Sequence, residues 1–274
     1  MANTKISGLT FCGLHINNKD GNVGTYKLLE IDRPVSPNMT YREYIAPKRN
    51  GSKRYDNRYE DIIISVVIGV SGNSIEKQQK ITNLLSQWIG KEDKLIFDDR
   101  PNLFYNAKFF NSTTIDNQGI FTRLTITFIA SYCMYELYDD LRDYPVDQLT
   151  MVVDDIGILV NRAQWTGITT SQIKQINNTG NFEAQPIIEV TGTASLLILE
   201  MNNKAFSFAN LNGSVFIDTE QMLVYEMVGT KKVSCLSQFQ GVFPVISVGE
   251  SDVHIGGTNL NLDIIIDFKN TYIV

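Results

Sequence analysis

One stretch limits what this chain can fold into more than any other. Between Asn73 and Gly90, in a sequence otherwise patterned as short β-runs, lies the only convincing amphipathic helix. Ile81, Leu84, Leu85, Trp88 and Ile89 recur at helical spacing and form one apolar stripe, while Glu76, Lys77, Lys80 and Gln87 keep mainly to the other faces. Asn73 with Glu76 three residues on predicts a capping box, and Gly90 predicts a left-handed stop, so the helix is placed at 74–89. An isolated helix of about four turns is marginal in water. Its stripe therefore requires a sheet to cover.

The rest of the chain supplies the strands. Residues 5–31 alternate apolar clusters (Ile6, Leu9, Phe11) with the turn signals Gly13, Asn17-Asn18 and Asp20-Gly21. Ile62 to Ile68 is so rich in β-branched residues that it reads as a strand covered on both faces. Phe121, Leu124, Ile126 and Phe128 fit alternation around threonines. At 138–148, YDDLRDYPVDQ, aspartates and a proline replace the apolar pattern, which places a domain boundary at 140/141. Beyond it come short β-rich runs with no competing helix: Ile156–Val160, Ile173–Ile176, Ile187–Val190, Ser195–Leu199, Ser214–Ile217, Met222–Met227, Phe243–Val248 and Ile264–Phe268, with Gly256-Gly257 and Asn259 as the turn before the last. That spacing predicts an antiparallel sandwich. The expected fold is thus mainly β with one helix: a β-sheet domain (1–140) with a single covering helix, and a β-sandwich domain (141–274).

Between Pro34 and Asp61 the character changes. Lys48, Arg49, Lys53, Arg54 and Arg58 are interleaved with Tyr55 and Tyr59 around Asn50-Gly51, a hairpin-turn signal, so the block reads as a projecting arm with basic sides. Three readings fit it. Basic residues with aromatics between them can track a nucleic-acid backbone. A solvated loop is the plain alternative, since Glu43, Asp56, Glu60 and Asp61 offset part of the charge. The third is an arm that reaches the acidic surface of a neighbouring subunit.

Several classes of function are disfavoured. A formal net charge of −6 argues against a surface built throughout for nucleic acid or anionic lipid. Cys12, Cys133 and Cys235, with His15 and His254, show no metal-ligand spacing and no disulfide framework, so neither metal nor cofactor is expected. Nor does the chain contain a phosphate-binding glycine loop, a nucleophile elbow or a zinc-protease helix, so no catalytic residue is assigned. Asp98-Asp99, Asp139-Asp140 and Asp154-Asp155 are adjacent pairs whose side chains diverge on extended chain, and Asp98-Asp99 before Arg100-Pro101 reads as a turn. Trp165, near Arg162 and Gln164, could stack on a sugar ring, but a single Trp more often belongs to a core or an interface. The amino terminus lacks the pattern of a secretion signal, and the longest apolar run is about half a membrane span, so the chain is expected to be soluble and made in the cytoplasm.

The helix EKQQKITNLLSQW, followed by LIFDDRP and YNAK, resembles the distal tail protein of long-tailed (siphovirus) phages, and the order and spacing of the whole run carry the resemblance. A second set in the later half, NNTGNFEAQPIIEVTG (177–192), FIDTE (216–220) and FPVISVG (243–249), resembles that family's second domain, a galectin-like sandwich. The resemblance implies a virion structural protein of a phage or prophage, located at the tail tip. It implies a hexameric ring whose first domain surrounds a channel that DNA passes without specific binding. The ring would join the tail tube to the tail-associated lysin or fibre protein and to receptor-binding proteins. It also favours the subunit-arm reading of Lys48, Arg49, Lys53, Arg54, Tyr55 and Arg58, because extended segments clasp neighbours in such rings. The rival reading from another class is an adsorption protein whose sandwich itself grips cell-wall sugar.

Overall fold

The computed structural model describes residues 7–17, 26–44, 53–118, 121–137 and 162–273. The chain divides into two compact units, one of Met1–Leu137 with Ile273–Val274 and one of Tyr138–Tyr272. The expected boundary at 140/141 and the run Ile156–Val160 lie outside the described residues.

In the first unit the strands are β1 (Gly8–Phe11), β2 (Leu14–Asn17), β3 (Tyr26–Asp32), β4 (Met39–Tyr44), β5 (Lys53–Tyr59) and β6 (Ile62–Ser71). After the helix α1 (Ser74–Trp88) come β7 (Glu92–Phe97), β8 (Leu103–Gln118), β9 (Phe121–Ala130) and β10 (Met134–Glu136). The main sheet runs β2-β1-β7-β8-β9-β6-β3, with β10 paired to β8. Its neighbours along that path are antiparallel, and β6 and β9 match over their full ten residues, from Ile62 opposite Ala130 to Ser71 opposite Phe121.

The helix forms as its sequence demands. The Asn73 side chain accepts from the Glu76 amide while the Glu76 carboxylate accepts from the Asn73 amide, at 2.9 and 3.1 Å. Gly90 follows the C-terminus at φ +71. Ile81, Leu84 and Trp88 are buried; Ile89, assigned to the stripe by its spacing, is exposed because the chain leaves helical geometry there, at φ −58 and ψ 126. Trp88 meets Phe11 of β1 edge-on at 5.4 Å and Phe128 of β9 at 5.8 Å, and these two rings meet each other at 4.9 Å. Helix and sheet thus close over one aromatic cluster.

The structure corrects the reading of β6 as doubly covered. Ile62, Ile64, Val66, Ile68 and Val70 face the core, whereas the other face is covered only in part: Gly69 is buried and Val67 half-buried, but Ile63 is 58% exposed. β-branched residues suit extended backbone on either face, so their density signals a strand without signalling cover.

The second unit contains β11 (Arg162–Ile168), β12 (Gln172–Asn178), β13 (Ile187–Met201), β14 (Lys204–Asp218), β15 (Leu223–Val228), β16 (Lys231–Ser234), β17 (Phe239–Gly241), β18 (Gly249–Thr258) and β19 (Asn261–Asp267). It is organised by the long hairpin β13–β14. The first half of β13 (187–193) pairs with β19, which carries β11, and the second half (196–201) pairs with β18, which carries β12. Correspondingly, one end of β14 pairs with β15 and the other with β17.

Core-facing parity changes on both strands at the same level. Ile188, Val190 and Ala194 are buried before Leu197, Leu199 and Met201 on one strand; Phe206 and Phe208 precede Leu211, Val215 and Ile217 on the other. Asn210, in the left-handed region at φ 55, sits at that level. One ladder thereby serves two layers, and apolar residues from both halves share a single core. The runs expected at 187–190 and 195–199 are therefore one strand. Phe243–Val248 is not a named strand, as Pro244 cannot donate to a ladder; only an isolated bridge joins Ala184 to Ile246. Gly256-Gly257 lie inside β18, and the turn falls after Thr258, with Asn259 at φ 54.

Candidate functional site

The basic block was the candidate interface. Of its members, Lys48 and Arg49, with the Asn50-Gly51 turn, lie outside the described residues. Lys53, Arg54, Tyr55 and Arg58 fall on β5, whose backbone register sets Lys53 opposite Tyr44, Arg54 opposite Glu43, Tyr55 opposite Arg42 and Arg58 opposite Thr40. Among the described residues β4 and β5 form a two-stranded sheet of their own. Every residue of β4 is exposed, including Met39, Tyr41 and Tyr44, the last at 57%. A two-stranded hairpin on its own is at best marginally stable in water. β4 thus places the apolar and aromatic side chains of Met39, Tyr41 and Tyr44 in solvent.

The root of the arm is held. The Glu60 amide donates to the Asn38 carbonyl at 2.9 Å, closing the hairpin where it leaves the body. Tyr59 stacks on Tyr132 with centroids 5.9 Å apart and planes at 12°. On the entry side Arg33 grips Asp99, with Nη2 to Oδ2 at 2.7 Å and Nη1 to Oδ1 at 3.4 Å. The guanidinium also lies 4.9 Å from the centre of the Phe97 ring.

Asp98 faces other partners. Its Oδ1 lies 2.9 Å from His15 Nε2, its Oδ2 accepts from Ser7 Oγ at 3.1 Å, and its amide donates to the Gly8 carbonyl at 3.0 Å. The doublet is the turn expected, yet its two carboxylates bind two different parts of the chain. Sequence spacing could not reveal this, because His15 and Arg33 are 83 and 66 residues away from their partners.

The family-like motifs of the second unit lie at strand ends and in the turns beside them. Asn178, buried, donates to the Phe182 carbonyl at 2.8 Å and to the Ile246 carbonyl at 3.3 Å and accepts from the Gly180 amide at 2.9 Å. Asn270 and Thr271 complete the network through Thr179, Phe182 and Glu183. In FIDTE, Asp218 accepts from the Gln221 amide, and Thr219 Oγ1 donates to the Pro186 carbonyl at 2.8 Å.

Trp165 packs against the core of its unit and stands opposite Ile264, while the Arg162 Nε lies 3.5 Å from Asp267 Oδ1. Trp165 is half-buried, so one part of the ring packs on the core while the rest reaches solvent. Burial raises the thiol pKa of Cys12 and Cys235, with Asp93 adding to the effect at Cys12 and Glu226 at Cys235, so both disfavour the thiolate. Among the described residues no group of three or more acidic, histidine or cysteine side chains is placed to hold a metal ion. No described helix is long and apolar enough to cross a membrane.

Residues 21–130 match the family model of the phage tail protein RIFT-related domain. No curated protein matches the chain by sequence. Among solved structures, the Dit protein of phage SPP1, described as a paradigm of the hub adsorption apparatus in phages infecting Gram-positive bacteria, has a TM-score of 0.65 at 11% identity, over 96% of this chain and 98% of that one. A chain of the phage P2 baseplate in its activated, calcium-bound conformation matches with a TM-score of 0.45 at 12% identity, over 91% and 92% of the two chains. The likeness to a siphovirus distal tail protein read from the sequence thus extends to the fold of nearly the whole chain.

Proposed function

We propose that this chain, whose residues 21–130 match a phage tail protein domain, is a structural protein of a siphophage tail tip that acts as an assembly hub. The whole-length likeness in fold to the SPP1 Dit protein carries the reading. In it the chain forms a closed ring of six copies, built mainly by the first unit. The ring joins the tail tube on one side to the tail-associated lysin or fibre protein and the receptor-binding proteins on the other. The chain works by geometry, not by catalysis: closed rotational symmetry satisfies protruding elements without leaving a free end.

The β4–β5 hairpin, a separate two-stranded sheet whose β4 residues are all exposed, also supports this reading. A sheet of two strands exposing Met39, Tyr41 and Tyr44 gains cover from a partner, and a neighbouring copy presents a surface of suitable charge, since each copy carries a net charge of −6. A lumen of that sign lets DNA pass, because duplex binding requires cations that displace its counterions. Light scattering across a concentration series tests the proposal. A monomer-to-hexamer transition supports it, and an open-ended polymer refutes the closed ring. Glycan-array binding that survives replacement of the arm would favour the sugar-gripping alternative.

A further inference from the structure

We propose that the Asp98-Asp99 turn is a two-sided clamp in which Asp99 sets the position of the arm and Asp98 sets that of the β1–β2 hairpin. The role in assembly rests on the ring reading above; the clamp itself does not. Adjacent carboxylates at the end of β7 reach opposite ways, and each is engaged at two atoms. On the Asp99 side the contact is built for direction. A guanidinium held by both its terminal nitrogens and laid over the Phe97 ring has one orientation available, and its side chain is only 14% exposed. Phe97 is itself buried and meets Tyr105 at 6.3 Å, so the ring beneath Arg33 is part of the core.

Arg33 is the first residue after β3, and β4 begins six residues later at Met39. The linker 33–38 contains Pro34 and Pro37, which restrict its backbone, so fixing Arg33 restricts where the arm departs. The exit strand is held separately, by Tyr59 on Tyr132. On the Asp98 side, Gly8 leaves the space the carboxylate occupies: a Cβ there would collide with Asp98 Oδ2 and stand 2.9 Å from His15 Nε2. The turn thereby adds side-chain contacts where the ladder already joins β1 to β7, and ties to that edge the arm root, which the main sheet does not include. Asp99 and Arg33 are positioning residues for the arm, which makes the contact with the neighbouring copy.

Hydrogen exchange read by mass spectrometry on the full chain separates the two sides. Asp99→Asn should speed exchange in peptides spanning 33–44 and 53–60 by about tenfold or more, the effect of losing a charge-assisted pair, and leave 8–17 and the β6 and β9 ladder unchanged. Asp98→Asn should do the converse, speeding 8–17 and sparing the arm. Arg33→Lys, which keeps the charge but loses the fork, should resemble Asp99→Asn. If neither substitution alters exchange, or if each loosens both regions equally, the clamp is refuted. Light scattering on the same variants separates this from the ring reading. An arm loosened by Asp99→Asn with the midpoint of assembly shifted to higher concentration supports both; a loosened arm with unchanged assembly upholds the clamp and removes the arm from the subunit interface.

Discussion

Replacing Trp88 by alanine probes the joint between the helix and the sheet. Trp88 is fully buried and touches the rings of Phe11 and Phe128, which come from opposite regions of the sheet path. Truncating a buried aromatic to alanine costs about 3–5 kcal/mol, including the cavity left behind. Two lost ring contacts place the value toward the upper part of that range. One feature acts against this. Among the described residues no protein acceptor reaches the buried indole Nε1, so the native state bears the desolvation of that group, which alanine and phenylalanine both relieve. Trp88→Phe, which keeps most of the ring contact and discards the N–H, should therefore cost less than about 1.5 kcal/mol. Calorimetry on the full chain should show the first unit's transition fall by roughly 10 °C or more in Trp88→Ala, with that of the second unit unmoved. An unchanged first transition, or a Phe variant as damaged as the Ala variant, would refute the view that ring packing in this cluster holds the helix to the sheet.

Asn73→Ala removes the capping box and should cost about 1 kcal/mol in denaturant unfolding of the first unit, with Asn73→Ser close to neutral. Asn178→Ala removes three hydrogen bonds, leaving the Gly180 amide without this acceptor while the Ile246 and Phe182 carbonyls keep Ala184 and Thr271, and should destabilise the second unit by about 1–3 kcal/mol; a loss under about 1 kcal/mol would show that the network is redundant. Gly257→Ala, at φ 144 with the new Cβ driven against the Leu196 carbonyl, should cost at least about 2 kcal/mol on thermal melting of the second unit. Neutralising Lys53, Arg54 and Arg58 together should weaken assembly in a salt-sensitive way and leave the melting temperature of the first unit nearly unchanged; normal assembly with a lost affinity for DNA would transfer the arm to the nucleic-acid reading.

Local signals were legible where local chemistry decides the structure. The cap at Asn73 and Glu76, the stop at Gly90 and the stripe through Ile81, Leu84 and Trp88 need only helical spacing, and all appear. The turn at Asp98-Asp99 was equally plain, but its partners His15 and Arg33 are set by tertiary register, which no spacing records. β13 and β14 looked like separate short strands because their core-facing parity changes midway, where one ladder passes from one layer to the other. β11 and β18 escaped notice for a different reason. Their sequences, RAQWTGI and GESDVHIGGT, carry too few apolar residues in alternation to stand out, and their place is fixed by pairing with β19, β12 and β13. The arm was visible through its basic residues, whereas the pairing of β4 and β5 as a sheet apart from the main one is a property of the fold.

Cryo-electron microscopy of assembled tails tests the proposed ring. Six copies of this fold should form a closed ring at the junction of tube and tip, with the β4–β5 hairpin of each copy lying on its neighbour. Density for this chain elsewhere in the virion, or at the tip without closed rotational symmetry, would contradict it.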